Sequence, residues 1–141
     1  MLKILICLLY LIIVSFCDVR IGKIPNFLTF GFFIAILVYD IFTVPSKIPE
    51  HLLSAFFFFI LFFVTWRITK GLGMGDVKLA SVLGYCSGFF MTTLVFVFAS
   101  FTGIIFFLAV NIFRKKIRKV PFAPFVTAGY MMSELICRRI L

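Results

Sequence analysis

An all-α, polytopic membrane helix bundle of about six transmembrane helices is the fold class this sequence predicts, and three observations carry it. Of its 141 residues, 64% are hydrophobic and 13% charged, against about 45–50% and about 25% in an ordinary soluble domain. Mean hydropathy is +1.24, so too little polar surface exists to cover the chain in water. The apolar residues also come in long uninterrupted runs, with the basic residues gathered between them. Lipid is the solvent such a chain requires. No Ser/Gly-rich or charge-rich linker divides it, so residues 1–141 read as a single transmembrane domain.

The first run covers residues 2–21, broken only by Lys3 and Ser15 before Asp18; its 20 residues make about 30 Å of helix, enough to span a bilayer. A polar turn at 18–26 holds Arg20, Gly22, Lys23 and Pro25, and residues 27–44 form the second run. Pro45, Ser46, Lys47, Pro49 and Glu50 make a loop. Residues 51–66, very rich in Phe, are the third run and end near Arg67 and Lys70. After the Gly-rich segment Gly71-Leu-Gly73-Met-Gly75-Asp76 comes a long apolar stretch, 77–113. Gly84, Ser87 and Gly88 divide it into two helices, the first of them short. A basic cluster, Arg114, Lys115, Lys116, Arg118 and Lys119, precedes the last span at 121–136.

Orientation follows from the basic residues. Loops after the first, third and fifth spans, with Lys78, hold ten of the 14 Lys and Arg; Lys3, Lys47, Arg138 and Arg139 are left on the other side. The N-terminus is therefore expected outside and Asp18 and Asp76 at the cytoplasmic boundary of a plasma (inner) membrane.

The formal charge of +9 raises nucleic-acid binding as a class, but no reading motif accompanies it, and contact with anionic headgroups accounts for the same residues. Cys7, Cys17, Cys86 and Cys137 lie in apolar stretches without a C-x-x-C pair, and His51 is the single histidine. A zinc site needs clustered thiolates or imidazoles, so neither metal nor other cofactor is expected and the thiols read as buried and free. Lys3 before an apolar run resembles a signal peptide, yet no small-x-small cleavage site precedes Asp18, and the run reads as a first membrane helix.

Acids at the edge of a span are costly and are functional candidates by default. Asp40 and Glu50 are expected as ordinary solvated groups of the outer loop, and Glu134 as an i, i+4 partner of Arg138. His51 is expected at headgroup level in that same loop. Asp18 stands near the C-terminal end of its helix, where the macrodipole disfavours a carboxylate; pairing with Arg20 or Lys23 is the plain account. For Asp76 the plain account is an N-cap. A cap, however, does not need Gly71, Gly73 and Gly75, which permit positive φ and close approach by another chain. Two carboxylates on one membrane face can run acid/base hydrolysis, and no Ser-His or Cys-His pair competes.

At these residues the chain resembles the type IV prepilin peptidases. Asp18-Val-Arg-Ile-Gly-Lys-Ile-Pro25-Asn26 resembles their first signature. Gly73-Met-Gly75-Asp76-Val-Lys78-Leu resembles the second, whose G-x-G-D core also occurs in archaeal preflagellin peptidases and presenilin-type proteases. Pro121-Phe-Ala-Pro-Phe125 resembles a segment near the family's C-terminal end. The resemblance implies an aspartic-type endopeptidase with Asp18 and Asp76 as the catalytic pair and Gly73 and Gly75 shaping the loop. Lys78, Pro25 and Asn26 then shape the site or bind substrate; Lys78 could bias Asp76 toward ionisation or anchor at headgroups, and the anchor is the preferred reading. It implies as substrate the short basic leader of a prepilin-like precursor, cut on the cytoplasmic side after a glycine.

Full-length bacterial members carry in front of this region a domain with paired C-x-x-C motifs, associated with N-methylation. The chain therefore looks like a compact peptidase-only form, and methyltransferase activity is not expected of it. Partners expected are a prepilin-like protein and membrane lipids, with self-association allowed and nucleic acid excluded. Two other classes remain open on the residues alone: a catalytically inactive pilus-assembly homologue, and a small ion- or proton-coupled transporter subunit, although transport acids belong nearer the bilayer midplane.

Overall fold

The structure is a computed structural model that describes residues 2–22, 24–69, 73–112 and 121–140. The first apolar run, free of Gly and Pro, forms α1 (Leu2–Ile21). Gly22 ends it with φ +65°, its N–H bonding to the Asp18 carbonyl at 2.9 Å, the left-handed stop that glycine supplies without a Cβ penalty. Pro25, extended at φ −64° and ψ 128°, opens α2 (Asn26–Thr43), and its carbonyl accepts the N–H groups of Leu28 and Thr29 at 3.2 and 3.3 Å. A short 3-10 turn, Pro45–Lys47, leads into α3 (Ile48–Thr69). Then follow α4 (Met74–Ile112) and α5 (Ala123–Ile140).

Helix α4 is not one rod. Gly88 has φ +75° and ψ 175° inside it, and the Thr92 hydroxyl donates to the Leu83 carbonyl at 3.1 Å. Nine residues of straight helix would separate those groups by about 13 Å, so the chain bends sharply at Gly88. The first arm, 74–87, begins beside the end of α1, where Gly75 meets Ile24, and reaches Tyr85 beneath Lys3 at the start of α1. It therefore runs antiparallel to α1. The second arm returns: α5 runs antiparallel to α1, through Ala123 to Asp18 and Thr127 to Ser15. Against the second arm, Gly129 of α5 lies on Val95 and Ala99 while Phe125 packs on Phe106.

The first arm of α4 is the centre of the bundle, with Val77, Leu79, Ala80, Leu83 and Tyr85 all buried. Cys7, Leu11 and Val14 of α1 and Val126 and Tyr130 of α5 close around it. An aromatic ladder, Phe58 to Phe89 and Phe96, Phe62 to Phe96 and Phe122, joins α3, α4 and α5. Large apolar side chains cover the outside, Phe27 and Phe42 being more than four-fifths exposed, as expected where hydrocarbon and not water is the solvent.

Several expectations are corrected. Five α-helices are described, and α4 comprises two helices that meet in a kink at Gly88, where the sequence placed a division. Among the described residues four helices are long and apolar enough to cross a membrane; α5 is not among them, since Glu134, Arg138 and Arg139 fall within its 18 residues. His51 lies inside α3, not in a loop, and packs edge-on to Tyr85. Asp40 is not solvated: it is buried in the last turn of α2, with Lys3 Nζ donating to its two carboxylate oxygens at 2.9 and 2.7 Å. His51 Nδ1 stands 3.3 Å from that ammonium. Of the thiols, Cys7 and Cys86 are buried, whereas Cys17 and Cys137 are half-buried; all four are free. The Gly71 position, Lys23 and Lys70, the cluster at 114–119 and the Arg138 side chain of the Glu134 pairing lie outside the described residues.

Candidate active site

Antiparallel packing brings four helix ends together: the finish of α1, the starts of α2 and α5, and the foot of the central arm of α4. Each of the three motifs noted in the sequence falls at one of these ends. Asp18 is in the last turn of α1, half-buried, and its Oδ2 accepts the backbone N–H of Ala123 at 3.1 Å. Arg20, expected as its counter-ion, instead lies over the Phe16 ring at 4.6 Å.

Asp76 is the third residue of α4, so it is not the N-cap. Gly73 occupies the position before the helix, its carbonyl accepting the Asp76 N–H at 3.0 Å. The Asp76 carboxylate reaches back to accept the Gly73 N–H at 3.1 Å, half of the reciprocal capping arrangement in which an acid at the third position serves the cap residue. The Asp18 and Asp76 carboxylates lie within Coulombic reach of each other, although 58 positions separate them in sequence.

The glycines act through space and not through φ. Neither Gly73 nor Gly75 is among the positive-φ residues. A Cβ on Gly75 would stand 3.0 Å from Ile24 Cβ, and one on Gly73 would stand 3.2 Å from Asp76 Oδ2. The missing side chain of Gly75 lets the segment between α1 and α2 lie directly on the foot of α4, with Ile24 buried at the contact, while that of Gly73 leaves room for the Asp76 carboxylate. Lys78 completes that contact by donating to Asn26 Oδ1 at 2.8 Å. Pro25, half-buried between them, fixes the entry to α2 and accepts the Thr29 hydroxyl at 3.3 Å.

All seven residues singled out in the sequence thus fall at one end of the bundle: Asp18, Pro25, Asn26, Gly73, Gly75, Asp76 and Lys78. Lys78 is engaged with Asn26 at an exposed position. Ala123 and Ile24 were missed as individual residues. The Pro-Phe-Ala-Pro-Phe segment was the available signal for Ala123, whereas an isoleucine in an apolar chain carries none. Among the described residues no group of three or more His, Cys, Asp or Glu side chains gathers where a metal ion could sit. At the opposite end Lys3, Asp40, His51 and Tyr85 form a separate cluster. Two acids on different helices, each oriented by a backbone N–H, form an arrangement capable of general acid/base chemistry if one is protonated and the other ionised.

A model of the type IV leader peptidase family matches residues 5–108, which includes both aspartates and stops short of Pro121. Over 128 residues the chain is 30% identical to the prepilin leader peptidase/N-methyltransferase of Bacillus subtilis (strain 168). That alignment covers 89% of this chain and 52% of the relative, so the chain spans about half the length of the curated protein it matches. No solved structure matches it.

Proposed function

The chain belongs to the type IV leader peptidase family, and from that premise we propose that it is an aspartic-type endopeptidase that removes the basic leader of a prepilin-like precursor at the cytoplasmic face of the membrane. Asp18 and Asp76 are its catalytic pair. The observation that carries the proposal is the convergence of these two acids, from different helices, at one end of the bundle and within Coulombic reach.

In the reaction the ionised carboxylate takes a proton from a water molecule as its oxygen bonds to the scissile carbonyl carbon. The protonated carboxyl gives its proton to the carbonyl oxygen. The tetrahedral intermediate then collapses as its C–N bond breaks: the leaving nitrogen takes a proton from the carboxyl that had accepted one, and the gem-diol returns one to the carboxylate that had given one. Both acids end in their starting states. Gly73 leaves room for the Asp76 carboxylate, Gly75 lets the segment before α2 lie on the foot of α4, and Asn26 and Lys78 hold that neighbouring segment.

Co-expression with a prepilin, scoring leader removal by gel shift, tests this. The parent is expected to cleave, and Asp18→Asn and Asp76→Asn to insert at parental abundance without cleaving. An amide can still accept the Ala123 or Gly73 N–H, so the fold survives, but it cannot carry the proton. Near-parental cleavage by either variant would remove the catalytic assignment. A parent that leaves prepilin intact would favour the inactive-homologue reading.

A further inference from the structure

We infer that the backbone N–H of Ala123 is a positioning donor for Asp18, and that the Pro-Phe-Ala-Pro-Phe segment exists to aim that one amide. The inference rests on the reading of Asp18 as a catalytic acid and adds to it the element that holds it.

The first turn of a helix has N–H groups without partners inside the helix, and each needs an acceptor. In α5 they are almost all assigned. The amides of Phe125 and Val126 go to the Phe122 carbonyl at 3.1 and 3.4 Å, and Pro124 has none. The amide of Ala123 points at Asp18 Oδ2, 3.1 Å away and 105 residues distant in sequence.

What surrounds that amide fixes its direction. Phe122 stacks on Phe96 with ring centroids 6.5 Å apart and reaches Phe62 at 6.3 Å, while Phe125 lies on Phe106 at 5.3 Å. One turn deeper, Thr127 pairs with Ser15 at 2.6 Å and donates to the Leu11 carbonyl at 3.3 Å, locking α5 against α1. Ala123 itself is fully buried. With Oδ2 committed to the amide, Oδ1 is the oxygen presented to water. Asp76, by contrast, is held by an amide of its own loop. The two acids are therefore oriented by different parts of the chain.

Ala123→Pro is the discriminating variant. Proline is well tolerated at the first position of a helix, where its preset φ fits, so the change deletes the donor with little effect on α5. Ala123→Gly keeps the donor. In prepilin cleavage, Ala123→Pro is expected to lower kcat by about 10- to 100-fold with KM changed less than about twofold, because a misplaced catalytic group costs rate and not substrate affinity. Ala123→Gly is expected to stay within about threefold of the parent. Parental kcat in Ala123→Pro would overturn the inference.

If Ala123→Pro does not accumulate, amide exchange at residue 123 decides, read by mass spectrometry with electron-transfer fragmentation in nanodiscs. Exchange should quicken in Asp18→Ala and stay unchanged in Asp76→Ala; equal exchange in Asp18→Ala and the parent would overturn it. This second measurement uses no substrate. A parent that fails to cleave therefore sinks the peptidase reading without deciding this one.

Discussion

Asp18 occupies the last turn of α1, where carbonyl groups concentrate negative potential. It is stabilised there because another helix starts at the same place and offers an N–H. The pair it forms with Asp76 is expected to behave as a unit: Asp18→Ala, Asp76→Ala and the double variant should be about equally inactive, since removing the second member of a cooperating pair costs little more. Clearly additive losses would mean that the two acids act separately. Lys78→Met removes the bond to Asn26, which is exposed and stabilises the fold by only about 1 kcal/mol. Cleavage is nevertheless expected to fall several-fold through a loosened loop, with Lys78→Arg restoring most of it; a Lys78→Met enzyme at full rate would reduce the bond to decoration. The residues with chemistry in their side chains were legible in the sequence because an apolar chain carries few of them, five acids in all. Ala123 was not, since a backbone amide has no letter of its own. Asp40 was misread because hydropathy places it at a loop edge and says nothing of Lys3 arriving from 37 residues away.

Among the helices, small residues decide how closely axes approach, as is usual where lipid removes the hydrophobic drive for association. A Cβ on Gly129 would run into the Val95 carbonyl oxygen and lie 2.8 Å from the Ala99 nitrogen. Gly129→Ala is therefore expected to push α5 from α4 and destabilise by about 1–3 kcal/mol. Gly31→Ala, where nothing lies within 4 Å, should be silent in the same thermal melt. Equal melting of the two would refute the packing account. Gly88→Ala meets no atom either, but φ +75° should cost it about 1–2 kcal/mol. Run lengths and polar breaks gave the helices in order, and the Gly84-Ser87-Gly88 cluster marked the division of α4. What the sequence left open was the form of that division, because one left-handed glycine turns the chain there without a polar loop.

Across the bundle, the ion pair of Lys3 and Asp40 lies at one end and the two candidate acids at the other. At the far end Lys3 offsets the buried charge of Asp40, so Lys3→Met is expected to destabilise by about 2–4 kcal/mol, whereas joint replacement of Lys3 and Asp40 by apolar residues should recover much of that. No recovery in the double variant would show that the pair does more than neutralise itself. Both this pair and the candidate site hang on α1, at Lys3 and at Asp18. Fifteen residues of helix set the two levels about 22 Å apart, while a typical hydrocarbon core is about 30 Å thick. The surrounding lipid must accordingly compress, or one charged level must sit below the headgroups, and either adjustment grows with acyl-chain length. Under the proposed function, lipid composition is thereby expected to control turnover. In proteoliposomes, leader removal is expected to slow as acyl chains lengthen from about 14 to about 22 carbons, and a rate indifferent to that series would mean that neighbouring helices shield both levels from the bilayer's preferred thickness.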